Sequence, residues 1–280
     1  MAIYLGNTLI SDLTIGTGNI ASIYRGSEIV FGNPNLGVLE LELNPATASS
    51  YPGTGTLWTD ISGRGNNFTL SGSITYSNNA IQLNSGFPTL NAYAVNSNQS
   101  AFNVGGGPFS IFAMVRSRNI NTVSQVFSKQ NYPDSFTGYA MGFTQIGPPS
   151  GDNGCFGLDL FQDGAGRLIK QTSGSLNQNQ WYGLTATYDG SALADGINLY
   201  INGISGSVPL IVRDSTGAGS ITNLDNTENT FIGARTDDDP INNPVQPLSG
   251  SIGAVQFYKR VLESTEISNL YNLYSASFTN

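Results

Sequence analysis

The sequence predicts an all-β protein: a short N-terminal β-hairpin module, then one large sandwich domain ending in a single short helix. Three observations predict it. Gly and Asn are abundant while charged residues make up only 11% of the 280 residues, so the chain reads as many short strands joined by tight turns. Alternation of apolar and polar residues recurs from residue 36 onward, the period of strands with one buried face. Helical periodicity is confined to one stretch near the C-terminus. A chain of this length buries a substantial core, and no second domain with its own core is legible after residue 36.

Residues 1–33 hold an internal repeat. Ile3-Tyr4-Leu5-Gly6-Asn7-Thr8-Leu9-Ile10 returns as Ile23-Tyr24-Arg25-Gly26-Ser27-Glu28-Ile29-Val30. Each copy reads as strand, Gly-containing turn, strand, a minimal hairpin. Isolated hairpins are marginal in water, so these units need something to pack on. Gly32-Asn33-Pro34-Asn35 then reads as a linker.

The sandwich domain is expected over residues 36–280. Its first strand puts Leu39, Leu41 and Leu43 on one face and Glu40 and Glu42 on the other. Residues 45–55 read as loop; 68–76 and 80–83 read as strands around Ser77-Asn78-Asn79. Between 84 and 107 the pattern is poor, apart from Tyr93 and Val95, until Gly105-Gly106-Gly107-Pro108 breaks it. Strands follow at 109–116, 123–129, 139–143, 154–161 and 167–172. Tyr182, Leu184, Ala186 and Tyr188 alternate on the next strand, and Asp189-Gly190 turns the chain. The strand at 197–201 ends in Asn202-Gly203, a pair suited to a two-residue turn because both positions tolerate positive φ. Residues 248–258 form the last strand. The helix over 264–274 places Ile267, Leu270, Tyr271 and Tyr274 on one stripe that must bury against a sheet. Ser264 is placed to cap it, with Glu266 near the positive end of its dipole.

These segments carry a resemblance. Trp181-Tyr182 through Tyr188-Asp189-Gly190, then Leu199-Tyr200-Ile201-Asn202-Gly203, Phe231-Ile232-Gly233 and Ser249-Gly250-Ser251-Ile252-Gly253 stand in the order of the laminin-G-like, concanavalin A-like jelly-roll family. Tyr258, Arg260, Leu262, Glu266 and Ile267 match the branch whose last strand is followed by Y-x-R-x-L-x-x-x-E-I. Asp60-Ile61-Ser62-Gly63-Arg64-Gly65-Asn66-Asn67 is similar to the family's opening loop. The resemblance covers residues 36–275 and implies a jelly-roll sandwich. The repeated hairpin resembles N-terminal segments of tailed-phage virion proteins, which implies attachment of a projecting domain to a particle.

Composition excludes several classes. A formal charge of −8 with scattered basic residues argues against nucleic acid or an anionic membrane surface as partner. Cys155 is the single cysteine, so neither a disulfide framework within the chain nor a thiolate metal cluster is available. The start of the sequence has no basic and apolar leader, and no apolar run of roughly eighteen residues occurs. The expectation is a chain made in a host cytoplasm without a signal peptide and without membrane insertion.

The absence of histidine removes the commonest general base, the Ser-His and Cys-His pairs and every His-containing zinc site. Glu40 and Glu42 lie about 7 Å apart on one strand face, within the spacing a glycosidase pair needs, but nothing there raises the pKa of an acid catalyst. No catalytic residue is therefore expected. For calcium, hard oxygen ligands from loops are suitable, and the resemblance implies a site at Asp60, Asn66 and Asn67. The acidic residue that family members carry in the last strand is missing here, where Gly253 and Ala254 stand; Asp237 and Asp239 are candidate substitutes. A sugar site would draw on loop aromatics such as Tyr51, Trp58, Tyr93, Tyr132 and Phe136, and the sequence does not locate one.

The expected function is a structural protein on the surface of a tailed-phage virion, a capsid decoration or tail-fibre component. Its partners would be capsid or tail proteins through residues 1–33 and host-surface carbohydrate through the sandwich. A free lectin and a glycoside hydrolase are the alternatives, and a homo-oligomer stays open.

Overall fold

In the computed structural model the chain divides into two compact units, Met1–Leu39 and Glu40–Asn280. The structure describes residues 39–84, 92–131, 137–145, 153–172, 176–205, 210–215, 221–236 and 245–278, and the backbones of four short strands before them. In the first unit β1 (Ile3–Leu5) pairs antiparallel with β2 (Thr8–Ile10), and β3 (Ser22–Arg25) with β4 (Glu28–Gly32). Both copies of the repeat are hairpins.

The second unit continues with β5 (Leu39–Leu43), β6 (Leu57–Trp58), β7 (Phe68–Gly72), β8 (Ile74–Ser77), β9 (Ala80–Asn84) and β10 (Ala92–Asn96). Then come β11 (Phe109–Ser117), β12 (Ser124–Asn131), β13 (Thr137–Gln145), β14 (Asn153–Gln162), β15 (Gly166–Thr172) and β16 (Trp181–Tyr188). The chain finishes with β17 (Ile197–Ile201), β18 (Ile204–Ser205), β19 (Leu210–Ser215), β20 (Thr230–Ile232), β21 (Ser249–Tyr258) and the helix α1 (Ser264–Ser275). A nine-stranded sheet runs β19-β15-β14-β13-β12-β20-β10-β7-β6, and an eight-stranded sheet runs β18-β17-β16-β11-β21-β9-β8 with β5 also beside β21. The expected jelly-roll sandwich is what the chain forms.

The inner faces of the two sheets close on one core. Phe127 and Tyr139 come from the larger sheet, Phe109 and Phe257 from the smaller, and Phe102 from a loop between them. Their rings meet at 4.5 Å for Phe109 and Tyr139 and 5.2 Å for Phe102 and Phe257, within the range of favourable aromatic contact. Every residue of β16 is buried, not one face only, because α1 covers the outward face of the smaller sheet. Phe112, Met114, Trp181, Tyr274 and Phe278 form that second layer. A Cβ on Gly183 would stand 2.6 Å from the Tyr271 ring, so glycine there is what lets the helix approach.

Two local expectations change. The stretch 68–76 is not one strand: it breaks after Gly72, sending β7 into the larger sheet and β8 into the smaller. The helix is capped by Glu263 rather than Ser264, in a capping box with Glu266. Glu266 also takes both prongs of the Arg260 guanidinium, at 2.6 and 2.7 Å. That bidentate pair, with Ile267 buried beneath it, is the physical content of the Y-x-R-x-L-x-x-x-E-I pattern.

Candidate functional site

Strand β13 alternates large and small residues. Tyr139, Met141 and Phe143 belong to the core, so Gly138, Ala140 and Gly142 face outward. The result is a floor of small residues along the middle of the larger sheet's outer face, with the Asn226 side chain packed at Gly138 and the Gln125 side chain at Gly142. Register supplies the walls. Gln130, Gly138, Phe161 and Arg167 stand opposite one another across β12, β13, β14 and β15. Ser128, Ala140 and Asp159 form the next row, and Gly142, Gly157 and Gln171 the row after. Ser128 and Asp159 thus flank the floor at two strand spacings, about 10 Å.

The polar atoms of these walls are incompletely satisfied. Ser128 Oγ, Gln130 Nε2, Asp159 Oδ1 and Gln171 Oε1 are buried and have no hydrogen-bond partner. Ser128, Gln130 and Gln171 are at most 4% exposed. A buried polar atom left without a partner costs about 1–3 kcal/mol, and four of the fourteen such atoms among the described residues lie on this face. Together they comprise one donor, two acceptors and one hydroxyl able to serve as either, all closed off from solvent, so a ligand reaches them only by displacing what covers them.

Charge gathers at one end of the face. Arg167 Nη2 donates to Asp159 Oδ2 at 3.1 Å, and the guanidinium lies 4.5 Å from the Phe161 ring centre. Burial pushes the Asp159 carboxyl above its usual range, opposed by the charge and hydrogen bond of Arg167 and by the charge of Arg235. Tyr93 and Phe231 add an aromatic pair, 5.7 Å apart, on neighbouring strands β10 and β20.

The residues expected to bind calcium do other work. Asp60 Oδ1 accepts from the backbone N–H groups of Glu42 and Ser62, and Oδ2 from Ser62 Oγ and the Asn66 N–H, all at 2.9 Å. Asn67 Oδ1 accepts from the Asp60 N–H, and Asn66 Nδ2 donates to the Glu40 carbonyl. Four hydrogens point at the carboxylate where a cation would have to sit. Asp60, Asn66 and Asn67 knit the loop and tie it to β5; as arranged, they do not fit a calcium ion. Asp237 and Asp239 lie outside the described residues. Among the described residues no cluster of three or more acidic, His or Cys side chains is placed to hold a metal.

A cation of the chain's own sits in an oxygen cage elsewhere. Lys129 is fully buried, and its Nζ donates to the carbonyls of Gln99 and Glu228 at 2.9 Å. The Asn226 carbonyl and Oδ1 lie at 3.3 and 3.4 Å. Burial pulls its pKa down to about 8, with Glu228 and Asp225 opposing. This ammonium fastens the loops before β11 and β20 to β12.

Of the other sequence candidates, Glu42 accepts from the Tyr274 hydroxyl at 2.9 Å beneath α1, so it anchors the helix. Burial raises its carboxyl above the usual range. Tyr51 and Trp58 are core residues, and Tyr51 donates to the Gly55 carbonyl. Tyr93 does lie on the outer face, while Tyr132 and Phe136 are outside the described residues. Ser128, Gln130, Asp159, Arg167 and Gln171 were not singled out in the sequence. The signal present for them is the alternation of β13, where three small outward residues interleave with three large inward ones.

Residues 89–268 match the family described as the Concanavalin A-like lectin/glucanases superfamily. No curated protein matches the chain in sequence. Among solved structures, the binding domain of Paraclostridial Mosquitocidal Protein 1 superposes with a TM-score of 0.57 at 15% identity, covering 85% of this chain and 52% of that one. A botulinum neurotoxin type C structure, described as dependent on two ganglioside molecules for cell entry, gives 0.56 at 13% identity, with 85% and 52% covered. The chain spans about half the length of these toxin structures. Domain 4 of AbnA, a GH43 extracellular arabinanase from Geobacillus stearothermophilus, in complex with arabinotriose, gives 0.55 at 14% identity, covering 84% of this chain and 98% of that one. Identities this low show a shared fold, and with the family match over residues 89–268 they lead to one conclusion: the chain belongs to the concanavalin A-like lectin/glucanases superfamily.

Proposed function

We propose that the unit Glu40–Asn280 is a glycan-binding module whose sugar site is the outward face of the nine-stranded sheet. The observation that carries this reading is the set of four buried hydrogen-bonding atoms without partners beside a floor of small residues. Sugar hydroxyls donate and accept at once, so a polyhydroxylated ring satisfies a mixed set of donors and acceptors that apolar packing would leave stranded. Tyr93, half-buried beside Phe231, offers a face for sugar C–H surfaces. The arabinotriose carried by the arabinanase domain and the gangliosides of the neurotoxin support the reading by fold analogy. The role is binding and not turnover: the chain has no histidine, and the Glu42 carboxylate is engaged beneath the helix.

The same reading places the protein on the exterior of a tailed-phage virion, with residues 1–33 as the attachment segment and the module presented to host-surface glycans. The tandem hairpins of β1–β2 and β3–β4, with their I-Y-x-G repeat, support that part. Co-sedimentation with particles lacking this protein tests it, comparing the full chain with one beginning at Leu36. Binding by the full chain alone is expected; binding by neither leaves a free lectin.

A further inference from the structure

We propose that the glycan held on this face carries a carboxylate and that Arg167 is the residue that reads it; the inference rests on the glycan reading above. The chain as a whole carries −8, so a cation fixed in its sugar site is not a product of composition. Arg167 is held twice, by one N–H donated to Asp159 Oδ2 and by the ring of Phe161 beneath its guanidinium. Its side chain nevertheless remains 43% exposed. A guanidinium has five N–H donors and stays protonated at any physiological pH. One of them is used in the Asp159 bond, and the rest of the planar fork is presented in a fixed plane.

A fork fixed in advance suits a planar, bidentate oxyanion, because the side-chain ordering that binding normally requires has already occurred. A neutral hydroxyl needs no such fork. The second oxygen of Asp159 lies beside it as a buried acceptor without a partner. Further along β15, Gln171 lies four residues, about 13 Å of strand rise, from Arg167, with the buried Ile169 between them on the same face. The arrangement fits a uronate-type or sialylated oligosaccharide with its acidic ring at Arg167. Asp159 holds the Arg167 guanidinium in place through the 3.1 Å bond from Nη2.

The test uses the full-length protein and matched ligand pairs: trigalacturonate with its carboxyl-reduced trisaccharide, triguluronate with its reduced form, and 3′-sialyllactose with lactose. Affinities are measured by titration calorimetry at low and high salt. At least one acidic member is expected to bind tenfold or more tightly than its neutral partner, with the difference shrinking at high salt. Arg167→Lys keeps the charge but loses the fork, and should bring the acidic-to-neutral ratio within about twofold. Arg167→Gln should do the same, and the melting temperature of both variants is checked because Asp159 loses its partner. Equal binding of the two members of each pair, or an unchanged ratio in a folded Arg167→Lys protein, overturns the carboxylate inference and leaves the glycan site standing. If neither member of any pair binds, the glycan reading itself fails and the inference with it.

Discussion

Replacing Lys129 by Met keeps the aliphatic stem and removes the ammonium. The carbonyls of Gln99 and Glu228, each accepting at 2.9 Å, lose their donor, and the Asn226 carbonyl and amide oxygen lose a weaker one. Two buried acceptors stranded at about 1–3 kcal/mol each give about 2–6 kcal/mol, and breaking a buried charge network falls within that range at about 3–5 kcal/mol. For a domain of this size that corresponds to a fall of roughly 6–20 °C in Tm by calorimetry. The pH dependence is a second readout. The folded pKa of about 8 lies below the unfolded value of 10.5, so below pH 8 both states hold the proton and the buried charge costs its full amount. Between these values the folded state releases its proton first, and wild-type stability relative to the Met variant rises with pH, by up to about 3 kcal/mol. A Met variant within 2 °C of wild type, or a stability difference flat across that window, would refute the view that this ammonium ties the loops to β12.

Three further outcomes are expected. Glu42→Gln keeps an acceptor for Tyr274 and should change stability at neutral pH by less than about 1 kcal/mol. Because burial raises the folded Glu42 value, wild type should lose stability as pH rises from about 4.5 through that value, a loss absent from the Gln variant in denaturant titrations. Gly138→Ala, at φ +126° with its new Cβ driven into the Lys129 carbonyl and Asn226 Nδ2, should cost at least about 2 kcal/mol by urea midpoint. Excess EDTA at neutral pH should leave Tm unchanged, since the Asp60 carboxylate already accepts four hydrogen bonds; a fall that added calcium reverses would show that a bound ion stabilises the fold.

Local chemistry was legible wherever it was local. Asn78 and Asn79 at φ 51° and 62° make the turn between β8 and β9, and Asn202 at φ 54° begins the turn after β17, as their types imply. The helix stripe follows from spacing, while Arg260 and Glu266 stand out in the sequence only as positions of the resembled pattern, and their pairing is seen in the structure. The run 68–76 was misread because both of its halves have strand character, and only the partners decide that Gly72 separates two sheets. Lys129 could not be placed because its partners are main-chain carbonyls from residues 99, 226 and 228, which have no sequence signature. The outer-face site has the same origin: Ser128 and Gln171 lie far apart in sequence and share a face only through the pairing of β12 to β15. Tyr51 reads as a loop aromatic because its loop folds back onto the core, where Trp58 of β6, expected at the core or its edge, also lies.

The most direct test removes stranded atoms from the outer face one at a time. Ser128→Ala and Gln171→Met each delete a buried polar atom that makes no hydrogen bond within the protein, so neither should lower Tm and either could raise it by a few degrees. On a glycan array probed with the full chain, the same variants should lose signal for whatever wild type binds, by tenfold or more in titration. Stability held or gained while sugar binding falls is the expected result. Unchanged binding in both variants, or a wild-type protein that binds no glycan, would contradict it.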